Sequence, residues 1–333
     1  MRRLPVAVIA AALLAGCGGG APSTTSTSTP RTFTGTITEF STGITPGSAP
    51  FGITAGPDGN VWFTEPAQDR IGRITPLGTV TEFSSGISPG SGPSSIVSGP
   101  DGNLWFTEPN GVRIGRITPA GTVTEFSGGI TAGPTNIASG PDGNLWFTEE
   151  FVAGNRIGKI TTSGVISEFT NGITPVAGPH GIAVGSDSNL WFTETTGNRI
   201  GRITPTAGSV TEFSTGISVG ADPTGIVAAP DASLWFTEFA GNRIGRITTT
   251  GTVSEFATGI SAGAAPYAIA LGTDGNLWFT EQGTNRIGRI TQAGTVTEFF
   301  TGITGGAEVS GITSGPAGIW FTEPGIDRIG RLQ

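Results

Sequence analysis

The stretch Pro100-Asp101-Gly102-Asn103-Leu104-Trp105-Phe106-Thr107-Glu108 decides the fold, because its ending, Trp-Phe-Thr-Glu, returns at Trp62, Trp146, Trp191, Trp235, Trp278 and Trp320. These seven are all the tryptophans of the 333-residue chain, and they fall 43, 41, 45, 44, 43 and 42 residues apart. Repeats of that length belong to propeller blades or helical solenoids. The text around each tryptophan separates the two. A copy continues through a variable stretch into Asn-Arg-Ile-Gly-Arg-Ile-Thr, a turn such as Pro119-Ala120-Gly121, a Thr-Val-Thr-Glu-Phe run, and a Gly/Ser/Pro-rich link into Gly-Ile. The runs are short, rich in Val, Ile, Thr, Phe and Trp, and bounded by turn residues, which is strand chemistry. No stretch carries an apolar face of helical period. Four strands per copy and seven copies predict an all-β fold, a seven-bladed β-propeller of four-stranded blades.

The two ends of the repeat region complement each other. Thr36-Ile37-Thr38-Glu39-Phe40 reads as a fourth strand with no first three before it, and Arg328-Ile329-Gly330-Arg331-Leu332 as a third strand with no fourth after it. The N-terminal strand is therefore expected to complete the last blade, leaving no open sheet edge at the junction. Residues 32–333 form one domain on this reading. Strand parity places the Pro-Asp-Gly-Asn and Pro-x-Gly turns on one face, the bottom, and the variable loops and links on the other, the top.

Most charge belongs to the scaffold. Of 17 Lys and Arg, 14 are the two cations of Arg-Ile-Gly-Arg, with Lys159 replacing one; of 25 Asp and Glu, seven end Trp-Phe-Thr-Glu and seven stand in Thr-Glu-Phe or Ser-Glu-Phe. Rows of ion pairs between these strand-borne sets are expected. The Asp of Pro-Asp-Gly-Asn is turn chemistry, since a hard cation wants more oxygens than one carboxylate brings.

Function is then sought where the repeat is broken. The residue that opens each first strand reads Phe51, Ser94, Thr135, His180, Thr224, Tyr267 and Ser310, and this column holds the chain's only His and only Tyr. It is expected at the top mouth of the central channel, where ligand sites tend to lie. Near it should come Glu150, Phe151, Asp222, Glu308, Phe239 and Gln282. Such a cluster suits a small molecule, peptide or glycan with apolar or sugar-like faces; the bland alternative is that His180 and Tyr267 only fill a wide mouth. Lying two blades apart, these two are not expected to hydrogen-bond. One His and no Gly-x-Ser-x-Gly elbow exclude a readable nucleophile triad, and no available Cys excludes the usual zinc ligands.

Residues 1–17 read as a lipoprotein signal peptide: Arg2 and Arg3, an apolar run over residues 6–14, then Leu14-Ala15-Gly16-Cys17, which resembles a bacterial lipobox with Cys17 as the lipidated residue. Cys17 is the single cysteine, so no disulfide staples the blades. Residues 18–31, rich in Gly, Ser, Thr and Pro, read as a flexible tether. The expected location is the bacterial cell envelope, extracytoplasmic, with the membrane touched through the lipid alone. A formal net charge of −8 argues against nucleic acid as a partner, and a monomer is expected.

The repeat as a whole resembles that of the virginiamycin B lyases, also called streptogramin lyases, from Thr36 to the last residue. The resemblance implies a seven-bladed propeller and, in active members, Mg2+-dependent opening of a cyclic depsipeptide by elimination at its ester, with a general base taking the proton. It also implies histidines in the opening column of the last two blades and two metal-binding glutamates. Here those columns hold Tyr267 and Ser310; Glu308 matches one acidic position, and Glu323 lies close to the other. A serine hydroxyl is too weak a base to replace imidazole. Three readings follow: a binding or interaction module with degenerate catalytic positions, a carbon-oxygen lyase using Glu308 and His180, or a structural envelope protein.

Overall fold

The computed structural model describes residues 33–150 and 154–333. Seven four-stranded antiparallel sheets follow one another around a ring. Blade 1 is built from Ile53–Ala55, Val61–Glu65, Arg70–Ile74 and Val80–Phe83. Blades 2 to 6 repeat it over residues 96–126, 137–169, 179–213, 223–256 and 266–299. Blade 7 takes Ile312–Gly315, Gly318–Glu323 and Arg328–Leu332 from the C-terminal end and Ile37–Phe40 from the N-terminal end, in register Ile37 to Leu332 and Phe40 to Ile329. The expected closure is the one observed.

The second strand is buried along its whole length in every blade, because each sheet is covered on both faces by its neighbours. Alternation along the strand assigns one ring to each side. Trp62 packs with Leu104, Phe106 and Ile117 of blade 2, whereas Phe63 packs with Trp320 and Ile329 of blade 7. Each tryptophan also lies over the fourth-strand phenylalanine of its own blade, as Trp62 on Phe83 with centroids 5.4 Å apart. The second cation of Arg-Ile-Gly-Arg covers that pair: the Arg73 guanidinium carbon is 5.4 Å from the Trp62 ring, and its Nη1 donates to the Pro119 carbonyl of the next blade at 3.0 Å. The glycine between the two cations is required, since a Cβ on Gly72 would stand 2.1 Å from Cζ of Phe63.

The threonine of Trp-Phe-Thr-Glu joins blade to blade. Thr64 Oγ1 accepts from the Gly52 amide at 2.8 Å and donates to the Ser94 carbonyl of blade 2 at 2.6 Å, and Thr322 donates to the Phe51 carbonyl at 2.7 Å across the ring closure. At the bottom, Asp58 Oδ1 accepts from Trp62 Nε1 at 3.0 Å while Oδ2 accepts from Asn60 Nδ2 at 2.8 Å. This aspartate is a turn and ring anchor.

The expected ion-pair row forms between the first cation of Arg-Ile-Gly-Arg and the fourth-strand glutamate of every blade, and the second-strand glutamates are the ones that depart from expectation. Fourth-strand Glu212 does pair with Arg199 at 3.0 Å; burial opposes its charge, but the Thr174 hydroxyl and amide and then the arginine hold it below the usual carboxylate range. Glu194, which ends the Trp-Phe-Thr-Glu of the same blade, has no exposed surface. Burial, and next the Glu212 carboxylate beside it, push it up to about 8. Blade 4 thus holds a neutral carboxyl against a charged one, and Glu65 with Glu82 and Glu323 with Glu39 are set the same way, because one arginine cannot compensate two desolvated carboxylates.

Candidate functional site

The opening column gathers at one mouth of the channel. In blades 4, 5 and 6 the first strand starts earlier than elsewhere, at Pro179, Pro223 and Pro266, and its pairing slips between Pro179 and Ile182, Pro223 and Ile226, and Pro266 and Ile269. Such irregularities re-aim side chains, and His180, Thr224 and Tyr267 sit inside them. The backbones there are fixed by the inter-blade threonines: the His180 carbonyl accepts from Thr148 Oγ1 and the Tyr267 carbonyl from Thr237 Oγ1, both at 2.6 Å.

Tyr267 is the centre of the cluster. Its ring centroid lies 5.9 Å from that of His180, 6.1 Å from Phe51 and 6.2 Å from Phe239, with the His180 and Phe239 contacts edge-on. His180 and Tyr267 make no hydrogen bond with each other, yet they touch across the intervening blade because the channel is narrow where the first strands converge. Burial, with the Glu150 carboxylate second, pushes the Tyr267 phenol up, so it stays a hydrogen-bond donor. Glu150 Oε2 stands 3.9 Å from His180 Nε2 and Glu150 Oε1 accepts from Thr195 Oγ1 at 3.2 Å. His180 Nδ1 is buried without a hydrogen-bond partner among the described residues.

Two cavities meet at these residues. A channel cavity of about 160 Å³ runs below Phe51, His180 and Tyr267. Above it a depression of about 390 Å³ is lined by Glu150, Asp222, Phe239, Gln282 and the shared His180 and Tyr267. Thr195, Thr196 and Thr224 also line it; the first two were not singled out by sequence. The residue after each Trp-Phe-Thr-Glu reads Pro66, Pro109, Glu150, Thr195, Phe239, Gln282 and Pro324. The side without proline is where the depression lies.

Glu308 and Glu323 are placed differently. Asp222 and Glu308 occupy the same position of the repeat, both with left-handed backbone at φ 56° and 55°. Glu308 is exposed, beside Gly325, and lines neither cavity. Glu323 is the fully buried glutamate of blade 7, pushed up to about 9 by burial and then by Glu39. A magnesium ion needs charged oxygens converging at one open point. One exposed carboxylate and one buried neutral carboxyl do not fit that need, and no group of three or more His, Cys, Asp or Glu able to hold a metal ion occurs among the described residues. Phe151 and Cys17 lie outside the described residues.

A closed ring of seven four-stranded sheets, with an aromatic and acidic mouth at one end of its channel, is a seven-bladed β-propeller. The profile of the virginiamycin B lyase family matches residues 29–215 and 171–333. The chain belongs to that family. Among solved structures it is similar to a streptogramin B lyase, at 39% identity over 90% of this chain and 97% of that one, with a TM-score of 0.82. Virginiamycin B lyase from Staphylococcus aureus aligns at 39% identity over 90% of this chain and 99% of the other, TM-score 0.81. A catalytically inactive histidine-to-alanine variant of that enzyme with quinupristin gives 0.80 at the same identity and coverage. Comparison with curated proteins gives no match.

Proposed function

We propose that this protein is a ligand-binding propeller of the cell envelope that holds a small ring-bearing molecule or peptide at its top mouth without opening it. The observation that carries this reading is the cluster of Phe51, His180 and Phe239 around Tyr267 at the floor of an open depression. Aromatic walls with a few polar groups bind and orient. Tyr267 and Ser310 stand where the family resemblance places histidines. Neither a buried phenol pushed upward nor a serine hydroxyl removes a proton at neutral pH.

A lyase reading rests on family membership and on His180, an imidazole facing Glu150 in the same mouth. Quinupristin, the compound present with the S. aureus variant, distinguishes the two. Elimination at an ester adds no water, so substrate and product share one mass and must be separated by retention time and fragmentation. With the purified protein and magnesium, calorimetry should register binding while chromatography returns only the cyclic compound. Tyr267→Ala should weaken binding by about tenfold or more, the loss of the central aromatic anchor. A linear isomer that disappears with His180→Ala would establish the lyase instead.

Anchoring through a lipid on Cys17 is part of the proposal and rests on the lipobox-like Leu14-Ala15-Gly16-Cys17. Cys17→Ser should move the protein from the membrane fraction to the soluble fraction of expressing bacteria. Unchanged sedimentation with membranes would remove the anchor from the proposal.

A further inference from the structure

The charge around the mouth is of one sign. All 14 Lys and Arg among the described residues lie on the third strands of the blades, and none lines either cavity. The depression instead carries Glu150 and Asp222 beside the rings of Phe239 and Tyr267. Among the described residues the imidazole of His180, at 3.9 Å, is the one counter-group of Glu150. Asp222 spends its backbone amide on Asn198 Oδ1 and its carbonyl on the Phe239 amide, and its carboxylate has no hydrogen bond or ion pair among the described residues. A cleft lined with one sign of charge concentrates ligands of the opposite sign, and aromatic faces add a cation-π attraction.

We infer that the ligand held at this mouth is an organic cation with a flat or apolar body, its positive group between the Glu150 and Asp222 carboxylates and its body against Tyr267 and Phe239. The inference rests on the mouth being a binding site at all, and adds which chemistry it selects. A glycan or neutral peptide would use the rings and hydroxyls but would gain nothing from two carboxylates without cations. An anionic ligand would meet repulsion from both.

Three probes of similar size decide it: phenyltrimethylammonium, benzyl alcohol and benzoate, titrated into the full-length protein and followed by ligand-observed NMR at low ionic strength. Phenyltrimethylammonium should bind about tenfold more tightly than benzyl alcohol, with benzoate weakest, and added salt should erode the advantage of the cation alone. The double variant Glu150→Gln, Asp222→Asn should bring the cation down to the level of the alcohol with an unchanged thermal midpoint; asparagine tolerates the left-handed backbone at position 222. Equal affinity of the cation and the alcohol overturns the cation inference and leaves a ring-binding mouth. If none of the probes nor quinupristin binds, the binding reading falls with it. Loss of cation binding in Tyr267→Ala, with the carboxylate variant unaffected, also refutes the charge selection.

Discussion

Raising the pH from about 5 to about 9 is expected to lower the thermal unfolding midpoint by about 10 °C or more, the reverse of the acid sensitivity that paired carboxylates usually confer. The cause is the buried glutamate at the end of each second strand. Glu65, Glu108, Glu149, Glu194 and Glu238 are pushed up to about 8, Glu281 to about 7 and Glu323 to about 9, in each case chiefly by burial. Folded pKa values above the unfolded one mean that the native state binds protons the unfolded chain has already released. Their stabilising effect is complete below the unfolded value of about 4.5 and is lost as pH rises through about 7 to 9. One pKa unit is worth about 1.4 kcal/mol, so a single realised unit in each of the seven blades sums to roughly 10 kcal/mol.

The fourth-strand glutamates work in the opposite sense. Glu39, Glu82, Glu212 and Glu298 are only half-buried, and hydroxyl, amide and arginine donors outweigh that burial and hold them below their ordinary value, so their contribution is present above about pH 4.5 and fails in stronger acid. The two sets together place the stability maximum near pH 5. Repulsion within a chain of net charge −8 also grows with pH, but salt screens it, and the slope should persist at high ionic strength. Glu194→Gln isolates the cause. It removes the titrating group and should raise the midpoint at pH 9 while changing little at pH 5. A midpoint that is flat or rises between pH 5 and 9 would sink the account.

Sequence and structure agree most closely where the repeat speaks seven times. Trp-Phe-Thr-Glu and the split last blade predict the ring and its closure, and Asp58 with its counterparts behaves as turn chemistry because Asx anchoring is a local matter. The glutamates were less legible. In the text each looks like a surface partner for a nearby arginine, and only the covering of both sheet faces by neighbouring blades makes Glu194 fully buried while Glu212 keeps its ion pair. The mouth was legible as a column and not as a cluster. His180 and Tyr267 are 87 residues and two blades apart in sequence, yet radial first strands bring their rings to 5.9 Å. Glu308 and Glu323 show the converse: they are close in sequence, but one sits on an exposed link and the other within a sheet.

Deleting residues 1–40 should abolish cooperative folding, whereas deleting residues 1–32 should leave urea unfolding unchanged. The difference is one short strand. Ile37–Phe40 supplies the fourth strand of blade 7, and its loss leaves the backbone of Arg328–Leu332 as an open edge. Phe40 covers Trp320 with ring centroids 5.6 Å apart, and Phe33 packs on Trp278 at 4.7 Å. The amides of Thr34 and Gly35 both donate to the Gln333 carbonyl at 2.9 Å. Burying Phe33 and partly burying Ile37 and Phe40 is worth about 3–6 kcal/mol, on the scale of the whole stability of a marginal domain. Electrostatics compounds the loss, since Glu39 accepts from the Thr304 amide at 2.5 Å and pairs with Arg328. Without it, Arg328 loses its salt-bridge partner. The shortened chain should therefore aggregate or unfold in a broad transition at low urea, and a peptide spanning residues 33–40 added in trans should restore a sharp one. A sharp transition at the undiminished midpoint in the shortened chain, without peptide, would mean that blades 1 to 6 hold the ring closed without the N-terminal strand.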